Sequence, residues 1–515
     1  MRLRLAATLL GLGLVAAVVV ALPVAPTDLD RHQFPKETVL HLAVLSAAVL
    51  AGRGILDTLP RGIRILVGGI VAWSCLGIAV ALNPWLAIRA IGLTATGALA
   101  FATAHFLSRH GQRRVLLTLA ALAALLGVAG ALAQAWGVDH RAFADLRAPG
   151  GTLGNRNFVA HLAAMALPLA VIGLLAATRR HTVAMTSVLT TMIVVALVLT
   201  RSRAGWLAGL GALSAVAAWL LLVPIPYRDT LPRRRVLVVP GLALLGVVIA
   251  LAIPNTLEWR SDSPYTDTLG NLTNYREGSG RGRLLQYQHT LTLALRHPVL
   301  GVGAGNWPLR YGEVAPSNDP SWARNDVIPL NPWPSSDWMA LVSERGLTTP
   351  IAVLLLGAAL LLVAFRRRKD SVEQALRGAA MAGILVGALA AGLFDAVLLL
   401  AVPLGFVAIT VGALLPTADD TPPRPVPGLA RQLLLGLVLV GTVRSLQQTA
   451  AYLVAGGGTS RRALERGARV DPFSFPLQIE LAKSGSCRVA APHARAALRL
   501  APTWASAQRA AKRCR

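Results

Sequence analysis

The chain alternates long aliphatic blocks with short polar stretches. Runs long enough, or nearly long enough, to cross ~30 Å of hydrocarbon as helices are centred on 5–22, 39–51, 65–82, 86–107, 115–135, 158–177, 182–200, 204–223, 236–253, 347–365, 375–394, 397–415 and 432–443. None shows the two-residue alternation of a barrel strand, so the pattern predicts an all-α, polytopic transmembrane helical bundle of about 12–13 spans. The runs at 39–51 and 432–443 are the shortest. Residues 254–346 form the one long interruption, roughly ninety residues and far more than a connection needs, which marks it as the functional element. The organisation expected is an N-terminal bundle (1–253), a large loop (254–346), further spans (347–449) and a small helical tail (450–515). The first run follows a basic Met1-Arg2-Leu3-Arg4, exceeds the length of a signal-peptide core and precedes no small-residue cleavage site; it reads as an uncleaved span.

Composition agrees with a membrane chain, since 54% of the 515 residues are hydrophobic and 14% charged. Fifty Lys and Arg stand against 24 Asp and Glu, a formal charge of +26 that suits anionic partners, among them membrane lipids. Where the arginines fall orients the bundle. With a cytoplasmic N-terminus, the short loops holding Arg61/Arg64, Arg113/Arg114, Arg179/Arg180, Arg233–Arg235 and Arg366–Lys369 all face inward, and the large loop faces outward.

The tail carries about twelve Lys and Arg, which favours the inside, yet it lies outside if 432–443 crosses. A proline-rich linker, 417–427, precedes that run. Within the tail Ala463, Leu464, Ala468 and Asp471-Pro472 recur as Ala496, Ala497, Leu498 and Ala501-Pro502, about thirty residues later, an echo that resembles degenerate tetratricopeptide helix pairs and suggests a site for protein partners. Of three cysteines, Cys75 sits in an apolar run, whereas Cys487 and Cys514 lie close enough in sequence to pair in an oxidising compartment. No spacing matches a metal or redox motif.

Three outward stretches concentrate chemistry. Gly150-Gly151-Thr152-Leu153-Gly154-Asn155-Arg156-Asn157 enters a span containing His161; such a stretch is either a tight turn with an N-cap or an anion-binding helix start. Arg201-Ser202-Arg203 joins two spans with almost no loop, and arginines at membrane depth usually line a cavity or pair with something. The large loop holds Arg281-Gly282-Arg283, then His297-Pro298, then Gly301-Val302-Gly303-Ala304-Gly305-Asn306, then Ser335-Ser336-Asp337-Trp338. The glycine string lacks the Lys-Ser/Thr of a P-loop and the βαβ setting of a dinucleotide site. Neither nucleic acid, metal nor organic cofactor is called for by any motif.

In order and spacing, these stretches, from Gly150 to Leu347, resemble the O-antigen ligase and polymerase superfamily. The resemblance implies a bacterial inner-membrane glycosyltransferase with a large periplasmic loop. Its donor would be a glycan on undecaprenyl diphosphate and its acceptor another glycan, lipid A core or a protein hydroxyl. Arg203 and Arg283 match the family's arginines and would hold the diphosphate, whose growing charge a guanidinium meets with paired hydrogen bonds. Gly301, Gly303, Gly305 and Asn306 would support the loop.

One departure stands out: where the family has its base histidine this chain has Ser335, which at neutral pH is no base without activation. Asp337 then takes the base role, or arginine electrostatics suffice, or the protein is a glycan-binding scaffold without catalysis. His297 reads as a turn residue before Pro298, and His161 as an interior histidine. A transporter would need charges inside several spans, and only Arg89 and Asp395 stand out there.

Overall fold

A computed structural model describes residues 1–25, 28–143, 147–223, 233–259, 261–271, 274, 276–323, 326–329, 332–416 and 425–514. The membrane helices are α1 (Arg2–Val19), α2 (Asp28–Ala51), α3 (Arg61–Leu76), α4 (Pro84–Leu107), α5 (Arg113–Ala135), α6 (Arg156–Ala176), α7 (Arg180–Thr200), α8 (Arg203–Leu221) and α9 (Arg233–Ala252). The large loop folds into α10 (Pro264–Gly270), α11 (Gly278–Arg296), α12 (Trp307–Arg310), a hairpin of β1 (Trp322–Ala323) and β2 (Asp326–Pro329), and α13 (Asp337–Arg345). The spans resume with α14 (Thr348–Arg367), α15 (Val372–Gly392), α16 (Ala401–Leu414) and α17 (Gly428–Ala455), and the tail holds α18 (Arg461–Val470), α19 (Phe475–Lys483), α20 (Cys487–Leu500) and α21 (Ala505–Arg513).

Among the described residues, eleven stretches are long and apolar enough to cross a membrane. One of them, Pro84–Ala135, is α4 and α5 joined through Ser108–Gln112, where Gly111 takes φ +80° and breaks the helix. Together with the shorter α16, every span expected from the hydrophobic pattern has its helix. The linker residues 417–424 lie outside the described residues.

At the centre stand α6 and α15, enclosed on nearly all sides. Small residues let them approach their neighbours: a Cβ at Gly383 would lie 2.7 Å from Pro168 of α6, and one at Gly378 would lie 2.4 Å from the Trp219 ring of α8. Consequently, α6 and α15 are themselves shielded from lipid.

The two ends of the bundle differ. At one, the arginine-rich short loops meet: Arg113 pairs with Glu373, Arg235 donates to the carbonyl of Ala177, and Arg368 Nε donates to the carbonyl of Leu222 at 3.1 Å. At the other, the large loop and the tail pack together. Trp85 stacks on Phe473 with ring centroids 3.7 Å apart, Asn83 Nδ2 donates to the Leu500 carbonyl at 3.1 Å, and Trp504 Nε1 donates to the Pro308 carbonyl at 2.9 Å. The tail therefore shares its end with the large loop. It consists of two helical hairpins, turned at Asp471-Pro472 and Ala501-Pro502, and Cys487 is bonded to Cys514.

Candidate functional site

The first glycine-rich stretch is a tight turn with an N-cap. Gly151 (φ +48°) lies against the backbone of Ala131 and Gly154 (φ +86°) against the His32 ring, where a Cβ would come within 2.9 Å and 2.7 Å. Asn155 then caps α6 by accepting from Asn157 N at 3.0 Å. This sets Arg156 and Asn157 in the first helical turn at the outer end. Next to them, Arg201 ends α7 in the left-handed region (φ +50°), Ser202 caps α8 by accepting from Gly205 N, and Arg203 is the first residue of α8.

Three arginines thereby converge. The guanidinium groups of Arg156 and Arg201 lie over the Trp259 ring, 4.9 and 4.6 Å from its centroid, Arg201 Nε donates to Thr268 Oγ1 at 3.0 Å, and Arg203 Nη1 donates to the Asn271 carbonyl at 2.5 Å. Arg156, Arg201 and Arg203 line one cavity of about 430 Å³, with Asp267 and Glu277 as its acidic members. Arg156 was not singled out by the sequence as a binding residue; its neighbourhood to Arg203 depends on helix ends almost fifty residues apart meeting at one rim.

A second cluster forms on the other side of the α6 N-terminus. Asp395, in the turn between α15 and α16, accepts from Asn157 Nδ2 at 2.9 Å and from Ala396 N at 2.9 Å. Its half-buried carboxylate lies within electrostatic reach of His161, as does Arg283 of α11. Arg283 is half-buried and has no hydrogen bond or ion pair among the described residues. His161 is fully buried with neither ring nitrogen hydrogen-bonded, so it is an interior histidine but not a satisfied one.

Asp337 takes another place. It opens α13 behind the Ser336 cap, is buried, and accepts from Val397 N and Leu398 N at 2.9 Å each, while its own N–H donates to the Asp395 carbonyl at 3.2 Å. Burial pushes its carboxyl up to about 7 against the pull of these amides. Arg203, Arg283 and Asp337 thus do not line one common cavity among the described residues. The arginine cavity holds Arg203 alone of the three, and Asp337 laces the turn that carries Asp395. Ser335 is held by its backbone, its N–H donating to Gln286 Oε1 at 2.7 Å and its carbonyl accepting from the Tyr287 hydroxyl at 2.6 Å.

The glycine string is a wedge. Gly301, Gly303 and Gly305 all have positive φ, and a Cβ on Gly301 would fall 2.3 Å from the Glu344 backbone. Glu344 accepts from Gly305 N at 2.8 Å and Trp307 N at 3.3 Å, so a carboxylate of α13 takes the amide of the last glycine of the string. Asn306 exchanges two hydrogen bonds with the backbone of Asn83. His297 ends α11 with Nε2 3.9 Å from a Glu313 oxygen.

Residues 186–329 match the family model described as O-antigen ligase. The chain carries an O-antigen ligase domain. The matched stretch holds Arg201, Arg203, Arg283 and the glycine wedge. Arg156, Asn157, Asp337 and Asp395 lie outside the ligase domain's matched stretch and are brought to it by the fold. No curated protein matches the chain.

Proposed function

We propose that the protein transfers a glycan from a polyprenyl-diphosphate carrier at the outer, periplasmic end of the bundle. The observation that carries this reading is the convergence of Arg156, Arg201 and Arg203 on one cavity at the α6 N-terminus, whose next residue, Asn157, holds the carboxylate of Asp395. A diphosphate leaving group is met there by guanidinium groups on the walls of one cavity. The acceptor hydroxyl oxygen attacks the anomeric carbon, the bond from that carbon to the diphosphate oxygen breaks with its electron pair, and the hydroxyl proton passes to Asp395. Arg283, like Asp395 within electrostatic reach of His161, adds positive charge for the donor on that side of the α6 N-terminus. Asp395 takes the role first expected of Asp337, because it is the half-buried carboxylate of the two, and Asp337 positions it.

Two features support the outward placement. Arginine-rich loops gather at the opposite end, as cytoplasmic loops do, and the Cys487–Cys514 disulfide belongs to an oxidising compartment. The two Pro-turned helical hairpins support the tetratricopeptide-like reading of the tail.

The test is complementation of a deletion strain, scoring surface polysaccharide on gels and membrane levels of each variant. Arg203→Ala, Arg283→Ala and Asp395→Asn should each lower transfer by about 10²–10³-fold. Wild-type polysaccharide from all three would remove the assignment and move the non-catalytic scaffold ahead.

A further inference from the structure

A cavity of about 390 Å³ opens at the end of the bundle opposite the large loop, between the turn after α2 and the start of α17. Arg53, Leu56 and Asp57 line it from the turn, Val426 and Arg431 from the approach to α17 and its first helical turn. Its place follows from what the turn packs on. The Thr58 carbonyl meets His105 Nε2 at 3.2 Å on the last turn of α4, and Ser108 just beyond donates to the Ala413 carbonyl at 2.8 Å. Arg113, which follows, pairs with Glu373 among the arginine-rich loops. No residue is shared with the cavity built by Arg156, Arg201 and Arg203.

The positive charge of this cavity is not neutralised from within. Neither guanidinium makes a hydrogen bond or ion pair among the described residues, and Arg431 Nε is buried without a partner. A buried donor is costly unless an acceptor reaches it. The one carboxylate on the walls, Asp57, is committed to the backbone, Oδ1 accepting from Val426 N at 2.8 Å. Helix α17 adds to the field: its N-cap is Pro427, which offers no side-chain cap, and its first turn holds no acidic residue, so the partial charge of its free amides is uncompensated. Two guanidinium groups beside a helix start suit a phosphate. The volume falls within the ~300–1,000 Å³ of small-ligand sites.

The surroundings decide which phosphate. Leu56 and Val426 give the cavity an apolar edge, and Leu429 and Leu433, exposed at 63% and 60%, continue from it along one face of α17. Val440 and Val443 prolong that stripe into the span. Since α17 packs on α2 and α4 and is mostly unburied, the stripe faces hydrocarbon. A phosphate in the cavity therefore lies at the head of an apolar track, as the headgroup of a membrane lipid does. Basic pockets between membrane helices hold anionic headgroups in this way.

From this juxtaposition we infer that the cavity holds the headgroup of an anionic phospholipid from the leaflet at that end, its phosphate at Arg53 and Arg431 and its acyl chains along α17. The lipid is a resident partner, neither donor nor acceptor, and its binding does not depend on the transfer reaction proposed above. It braces the foot of the helix whose far end carries α18.

The test counts bound lipid by native mass spectrometry on full-length protein purified in detergent and titrated with cardiolipin, with phosphatidylcholine of the same acyl chains, or with sn-glycerol 3-phosphate. The wild type should bind cardiolipin at least about tenfold more tightly than phosphatidylcholine, each arginine contributing about fivefold. Arg53→Gln should weaken cardiolipin binding about fivefold, and Arg53→Gln/Arg431→Gln further. Arg53 is exposed, so its replacement leaves the fold intact and carries the test even where the double variant does not fold. The control Arg366→Gln/Lys369→Gln removes two exposed charges from the same end, outside the cavity, and should leave binding unchanged. Equal loss in that control, or no preference over phosphatidylcholine in the wild type, overturns the inference. Displacement of cardiolipin by glycerol 3-phosphate would assign the cavity to a soluble anion and overturn it as well.

Discussion

At the scale of single residues, Asp337 shows how a carboxylate can matter without meeting substrate. Replacing it by Asn keeps one acceptor oxygen but turns an NH2 towards the other amide of the Val397–Leu398 pair, leaving a buried donor unpaired. Asp337→Asn should cost about 1–3 kcal/mol of stability, read as a lowered thermal midpoint. Asp395→Asn should shift the midpoint less while transfer falls, because at this half-buried position water can meet the donor, Asn157 Nδ2 or Ala396 N, that the new NH2 no longer serves.

Glu344 and Asp337 also make stability depend on pH. Burial raises both carboxyls, from ordinary values of 4.5 and 3.8 to about 7. The folded state then holds these protons more tightly than the unfolded chain. Their contribution is fully present below about pH 4 and is lost as pH rises through about 7. Thermal midpoints of Glu344→Gln should fall less steeply across that range than those of wild type; equal slopes would show that Glu344 is not the source.

The arginines were legible because their residue type is costly at membrane depth. Asp395 was visible only as an odd charge. Its partners Asn157 and Asp337 are more than fifty residues away in the chain, and only the packing of α6, α13 and the α15–α16 turn assembles them.

At the scale of elements, hydrophobic length located every span but misjudged two. Helix α2 extends to Asp28 and α17 to Ala455, well beyond their apolar cores, because their polar outer turns bind each other. Thr38 and Thr449 hydroxyls meet at 2.9 Å, and the Tyr452 hydroxyl donates to Asp30 at 2.9 Å. Pattern reading ends a span where polar residues begin, whereas a helix continues wherever those residues find partners. The glycine wedge makes the complementary point, since its spacing invites a phosphate reading while positive φ and close contact with α13 give it a packing role. Gly301→Ala should destabilise the protein by at least about 1–3 kcal/mol, seen as faster proteolysis of the large loop. Unchanged digestion would contradict that tight approach.

Considered as a whole molecule, the protein is closed at its outer end by its tail. None of the tail's docking partners was readable, because the contacts of Phe473, Leu500 and Trp504 reach residues 83–85 and 308. The sequence did bring Cys487 and Cys514 near one another, and the fold pairs them. Cys487→Ser should lower the tail's stability by about 2–4 kcal/mol, measured by hydrogen exchange over α20 and α21. A reporter fused after residue 514 should be active only in the periplasm; cytoplasmic activity would place tail and loop on the inner side.

The strut formed by α17 has a consequence for assembly. Its 28 residues make a rod about 42 Å long, longer than the ~30 Å hydrocarbon core, so its outer turns stand above the membrane and carry α18 against them. Residues 461–513 leave the ribosome after every span has been made, yet they hold the turn before α4 and the start of α12. The end of the bundle that carries the large loop is therefore clamped only after these spans have been made. A chain arrested before α17 would sit in the membrane with its large loop unclamped.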